Sequence, residues 1–211
     1  MPIIHGGVPS PFVKKTCAFL SEKGVAYELR PLAPFPKTPE LLAMNPLGKI
    51  PIYQDGDLML PDSSAICAYV ERAQPKPSLY PSDAKAYGRA LFLEEFADTK
   101  LNEVLGGVFF QRVIRPNFFK QEPDEAAVRK ALDEQLPAVF DWLERQIESP
   151  QGIVGGVFSI ADVAVGAQLA NFRLAGEKVD GGRWPKLAAW AERTLARPSF
   201  VKLLEGGAFP S

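Results

Sequence analysis

The chain has 211 residues, 46% of them hydrophobic, with 24 basic against 25 acidic side chains and a formal net charge of -1. That apolar content is enough to bury a large core, and the interspersed charges form no basic stripe of the kind that meets nucleic acid or an anionic membrane. No apolar run reaches the roughly 18 residues of a membrane span, the first residues lack a basic-then-apolar leader, and the predicted location is cytoplasmic. Cys17 and Cys67 form no CxxC pair, and with His5 as the single histidine no common zinc site can be assembled, so no metal is expected. One histidine also leaves few routes to a Ser-His-Asp arrangement. A small-molecule substrate or a protein partner is the expectation.

In chain order, Ile3 to His5 reads as a strand, Pro11 to Lys23 as a helix ended by Gly24, Ala26 to Leu29 as a second strand and Pro39 to Met44 as a short helix. Ile50 to Tyr53 and Leu58 to Leu60 flank Gln54-Asp55-Gly56-Asp57, in which Asp-Gly supplies hairpin-turn chemistry. A helix from Ser63 to about Arg72 completes β-α-β-α-β-β-α over residues 1–75. Gln74 to Asp83, with Pro75, Pro77 and Pro81, is too rich in proline for a helix interior, and 76–83 reads as a linker. Residues 84–211 read as helix only: Ala84 to Arg115, closed by Pro116; Asp124 to Ile147; Ser159 to Leu174; and Pro185 to Leu195. Ser159-Ile160-Ala161-Asp162 has the spacing of a capping box.

Several residues stand where chemistry is available. Ser10 lies between the first strand and a helix that opens with Pro11, a residue suited to the first helical position. On local pattern alone it is a helix N-cap, and a hydroxyl there also sits where the helix dipole and free amides favour a thiolate over a thiol. Ser63 follows Asp62 at the head of another helix, where capping and the binding of a carboxylate can coexist. Lys37 and Lys49 read as solvated lysines, Cys17 and Cys67 as core residues.

This layout and three motifs resemble the cytosolic glutathione S-transferase family. Ser10-Pro11-Phe12-Val13-Lys14-Lys15 resembles its serine-type active-site turn, Asn45-Pro46-Leu47-Gly48-Lys49-Ile50-Pro51 its signature before the third strand, and Asp62-Ser63-Ser64-Ala65-Ile66 its acidic-Ser motif. The resemblance covers essentially the whole chain. It implies a thioredoxin-like α/β domain followed by an all-α bundle, usually as a homodimer, with glutathione as co-substrate. Ser10 is then the residue that activates the thiol, for attack on a hydrophobic electrophile or for peroxide reduction. It further implies a cis Ile50-Pro51 bond that turns the Ile50 backbone toward the cysteinyl part of glutathione. Asp62 and Ser63 would hold the γ-glutamyl end, Lys37 and Lys49 the glycine carboxylate, and Phe12 would line the same site. The second-substrate pocket is expected between the domains, with Phe12, Phe109, Arg112 and Phe119. A non-catalytic ligand carrier or docking module on the same fold, and a glutathione-dependent isomerase or lyase, remain alternatives.

Overall fold

The computed structural model describes residues 1–205. The chain divides into two compact units, one spanning Met1–Leu79 and one beginning at Tyr80.

In the first unit, β1 (Ile3–His5), β2 (Glu28–Arg30), β3 (Ile52–Asp55) and β4 (Leu58–Pro61) form a sheet in the order β2-β1-β3-β4. β1 and β2 are parallel and the other pairs antiparallel, with Ile4 opposite both Leu29 and Tyr53. A parallel pair needs a crossover, and α1 (Pro11–Glu22) supplies it. α2 (Pro39–Met44) and α3 (Ser63–Ala73) complete the unit. Strands β2 and β3 begin two residues later than their apolar runs suggest, because Ala26, Tyr27, Ile50 and Pro51 belong to the connections that enter the sheet.

Helix α1 is buried from Val13 to Leu20, polar residues included. Among the described residues three lysines are buried, Lys14, Lys15 and Lys23, and all lie in or at the end of this helix. Lys23 donates to Glu71 of α3 at 2.7 Å and to the Pro77 carbonyl, and Glu71 in turn accepts from the Ser78 hydroxyl at 2.7 Å and the Leu79 amide at 3.3 Å. Residues 76–79, read from sequence as part of a linker, are therefore fastened to the first unit, with Leu79 buried.

The second unit is helical: α4 (Ala84–Phe96), α5 (Asn102–Phe109), α6 (Arg115–Phe118), α7 (Glu125–Lys130), α8 (Leu136–Gln146), α9 (Ile160–Leu174), α10 (Pro185–Leu195) and α11 (Pro198–Glu205). Wide π-helical turns at Ala97–Leu101, Phe110–Ile114 and Ala131–Gln135 join α4 to α5, α5 to α6 and α7 to α8. Pro116 does not close the first run, as its chemistry suggests, and helix continues to Phe118. A proline in a regular helix collides with the carbonyl four residues back and removes one hydrogen bond. Both Pro116 and Pro137 come two residues after a π turn, whose wider winding relieves that collision.

Every residue of α9 from Ile160 to Phe172 is buried, and α4, α5, α10 and α11 pack around it. A helix that is apolar on all sides is a core helix. Its start is held by the expected capping box. The Asp162 carboxylate is wholly buried and accepts from the Ser159 amide at 2.8 Å, the Ser159 hydroxyl at 3.0 Å, the Ile153 amide at 2.9 Å and the Trp190 indole at 2.7 Å. Replacing Asp162 by Ala leaves several buried donors unsatisfied, and we expect a loss of about 3 kcal/mol or more in urea unfolding of the full chain. Asp162→Asn, which keeps one acceptor oxygen, is expected to lose about half as much.

Candidate functional site

The sequence-predicted glutathione residues all lie in the first unit, on the segments that leave β1, enter α2, enter β3 and enter α3. Ser10 is the N-cap of α1, with Pro11 at the first helical position. Its backbone is extended (φ -73, ψ 125), its amide is tied to the Gly7 carbonyl at 3.0 Å, and its half-buried oxygen accepts from the Val13 amide at a long 3.4 Å. Among the described residues the Ser10 hydroxyl donates to no protein acceptor. A hydroxyl in this position has its proton free for a ligand.

Gly6 brings this turn against the β3 entry. A Cβ at Gly6 would lie 2.6 Å from Val13 Cγ2, so a side chain there would push Val13 of α1 away, and 3.6 Å from Ile50 Cβ, an ordinary contact distance. The Ile50-Pro51 bond is cis, and both residues are buried. The loop before them is shaped by Asn45, a buried amide that donates to the Lys49 carbonyl at 2.9 Å and accepts from the Leu47 amide at 3.0 Å. Gly48 (φ +61) lies under the Lys37 stem, its hypothetical Cβ 2.8 Å from Lys37 Cδ. Lys37 Nζ reaches the Leu47 carbonyl at 3.3 Å. Lys37 and Lys49 are both exposed, so each head group is open to a solvated anion.

Asp62 is the N-cap of α3. Its Oδ1 accepts from the amides of Ser64 and Ala65, each at 3.0 Å. Its backbone has φ 79 and ψ 125, a conformation that strains any residue with a Cβ and is characteristic of functional sites. Ser63, next in line at the helix start, is buried, and among the described residues its hydroxyl has no protein hydrogen-bond partner. One turn of helix thus offers a carboxylate oxygen, a hydroxyl and the positive end of a dipole.

Lys15, buried in α1, donates to Ser64 Oγ at 2.8 Å and so fastens the Ser10 helix to the Ser63 helix. Ser10, Ile50-Pro51, Lys37 with the 45–49 loop, and Asp62-Ser63 are thereby linked by direct contacts. Gly6, Asn45, Lys15 and Lys37 do this linking. Lys15 escapes a sequence reading that takes lysine as solvated, although Lys14 and Lys15 fall between Val13 and Cys17 on a helix apolar on several sides, and Gly6 carries no local signal.

Lys14 donates to the Val8 carbonyl, and burial pushes its ammonium down to about 7. Burial pushes the Cys17 thiol up to about 11, and a hydrogen bond with Tyr27 partly offsets the shift. A buried, protonated thiol is a packing residue.

Of the expected second-substrate residues, Phe12 is half-buried in α1 of the first unit. The others belong to the second unit. Phe109 is buried in α5, whereas Phe119 is exposed beside Phe110 and Phe118, with ring centroids 6.0 and 5.1 Å away. Arg112 is already paired, its guanidinium meeting Glu177 and, at 3.4 Å, Glu125.

Residues 5–78 match the family model for the glutathione S-transferase N-terminal domain, and residues 126–193 match that for the glutathione S-transferase C-terminal domain. A probable glutathione S-transferase of Oryza sativa subsp. japonica is 32% identical over 95% of this chain and 94% of its own length. This chain belongs to the glutathione S-transferase family. Among solved structures, a glutathione S-transferase from Rhodospirillum rubrum gives a TM-score of 0.87 at 25% identity, covering 97% of this chain and 92% of that one. Glutathione transferase F7 from Populus trichocarpa gives 0.85 at 25% identity, over 99% and 100%. The chain is an enzyme, a glutathione transferase.

Two substitutions at Asp62 separate strain from capping. Asp62→Ala removes both cap bonds and keeps a Cβ at positive φ, and is expected to cost about 1 to 2 kcal/mol in urea unfolding. Asp62→Gly loses the same bonds but relaxes the backbone, and is expected to stay within about 0.5 kcal/mol of the native chain.

Proposed function

We propose that this glutathione transferase activates its co-substrate through Ser10, whose hydroxyl donates to the glutathione sulfur at the N-terminus of α1. The carrying observation is the uncommitted Ser10 proton at a helix start: its oxygen takes one long bond from Val13 and its hydrogen is left for a ligand. A hydrogen bond to the charged sulfur, with the helix dipole behind it, lowers the thiol pKa. The S–H proton leaves to solvent, the electron pair stays on sulfur, and the thiolate attacks an electrophilic carbon or reduces a peroxide.

The tripeptide is held along the linked segments. The Ile50 backbone beside Pro51 pairs with the cysteinyl unit, with Phe12 alongside. Ser63 receives the γ-glutamyl carboxylate at the head of α3. Asp62, with Oδ1 committed to two amides, turns its second oxygen to the ammonium. Lys37 and Lys49 take the glycine carboxylate, which balances the charges of the peptide end to end. The electrophile is apolar, and Phe12, Phe109, Arg112 and Phe119 are the residues proposed to receive it, Phe119 with aromatic neighbours and Arg112 held by its carboxylates. No helix among the described residues is long and apolar enough to cross a membrane, and the reading includes a cytoplasmic homodimer.

Calorimetry with glutathione and ultraviolet titration of the bound thiolate test this reading. Ser63→Ala removes a charge-directed bond made in ground and transition state alike, and is expected to weaken glutathione about tenfold or more. Ser10→Ala is expected to change affinity far less, to raise the pH at which thiolate absorbance appears, and to cost roughly 1 to 3 kcal/mol of transition-state stabilisation. Thiolate appearing at the same pH in Ser10→Ala overturns the role of Ser10, and unchanged affinity in Ser63→Ala reduces that residue to a helix component.

A further inference from the structure

The Ser10 turn is supported from inside the unit by a cation. Lys14 is one helical turn beyond Ser10, and its amide closes the first α-helical bond to the Ser10 carbonyl at 3.0 Å. Side chains on a helix lean toward its N-terminus, so a residue four places on reaches back beneath the cap. Lys14 does this: its side chain is wholly buried, and its Nζ donates to the carbonyl of Val8, two residues before Ser10. The segment between them is closed by the Ser10 amide on the Gly7 carbonyl. The neighbouring lysines are engaged elsewhere, Lys15 with Ser64 of α3 and Lys23 with Glu71 of α3.

We propose that Lys14 is a positioning residue for thiol activation: its buried ammonium holds the Val8 carbonyl and supplies, from beneath the turn, positive charge that favours a thiolate at Ser10. This rests on the reading of Ser10 given above and extends it. An N-cap hydroxyl and a helix dipole supply only partial charges, whereas an ammonium in a water-poor interior acts with little screening. Cys17 of its own helix acts on it, and Cys17 is in turn hydrogen-bonded to Tyr27 of the segment before β2. Burial raises the pKa of both, so near neutral pH both are uncharged and Lys14 is the group whose charge can change. Because the buried ammonium is lowered to about 7, the lysine and the bound thiol titrate as a coupled pair: an anion at Ser10 draws Lys14 toward its charged form, and the charged lysine draws the thiol toward thiolate.

The test is the ultraviolet titration of glutathione bound to the full chain in wild type, Lys14→Met and Lys14→Arg. Met matches the lysine stem in volume, and an apolar isostere of a buried charge is commonly tolerated. The thiolate midpoint is expected to rise by about one pH unit, tenfold less thiolate at a given pH, in Lys14→Met, and to return in Lys14→Arg. Affinity for S-methylglutathione, which has no ionisable thiol, is expected to stay within about twofold in all three. In wild type, the Lys14 Nζ resonance is expected to titrate at higher pH with glutathione bound than with S-methylglutathione. An unmoved thiolate midpoint, an unmoved Lys14 midpoint, or loss of S-methylglutathione binding that Arg does not restore overturns the proposal. Ser10→Ala in the same titration separates the two readings: a midpoint that moves in Lys14→Met and not in Ser10→Ala sinks the Ser10 role and keeps that of Lys14, and the reverse pattern does the opposite.

Discussion

An ammonium group taken out of water must find an oxygen or lose its proton, and α1 sets this demand three times. Lys14 turns to the carbonyl of the loop that precedes the helix, Lys15 to a hydroxyl on α3, and Lys23 to a carboxylate on α3 and a carbonyl beyond it. Each answer fastens a different part of the first unit to the same rod: the Ser10 turn, the start of α3, and the stretch that ends the unit at Leu79. The sheet gives α1 a surface to pack on, but these polar ties determine where its N-terminus stands relative to that of α3. The site depends on that spacing, since it lies at two helix starts and the loop between them.

The second unit solves an analogous problem with the opposite charge. A core helix surrounded by others needs its start held where no water reaches, and Asp162 gathers donors from the Ser159 cap, from Ile153 in the preceding loop and from Trp190 of α10. Glu144 plays a smaller version of this part for α10, accepting from the amides of Lys186 and Leu187 at 3.0 and 2.8 Å. In both units a single ionic side chain on one helix organises the beginning or end of another element, which is economical because helix termini carry unpaired groups by construction.

Much of this was readable from the residues. The βαβαββα order, the hairpin at Gly56, the all-helical second half and the capping box follow from local periodicity and turn chemistry, which act over a few positions. Ser10, Ile50-Pro51 and Asp62-Ser63 were legible as helix starts and a strand entry, and their joint meaning came from resemblance. What stayed hidden depends on contacts between distant residues. The burial of Lys14 and Lys15 is a property of what α1 is packed against. Asn45 lies within a recognised motif, yet its role of bracing the Lys49 carbonyl is visible only once the loop is closed. Pro116 misleads for a related reason: the rule that proline stops a helix assumes regular winding, and the winding here is not regular.

That irregular winding has an evolutionary corollary. A π turn carries one residue more than the α-helical turn it replaces, so each one rotates everything downstream by about 100° around the helix axis relative to an uninterrupted rod. From Ala84 to Phe118 the chain passes through two such offsets, and from Glu125 to Gln146 through one. Exchanges of side chain within these stretches leave the facing of later residues alone, and so does loss of one residue at a π turn, which becomes an ordinary turn; loss of a residue elsewhere in the rod would swing the following segment off its buried side. One-residue differences in length along these two rods should therefore fall at the π turns, and larger ones in the connections, such as 119–124 and 176–184.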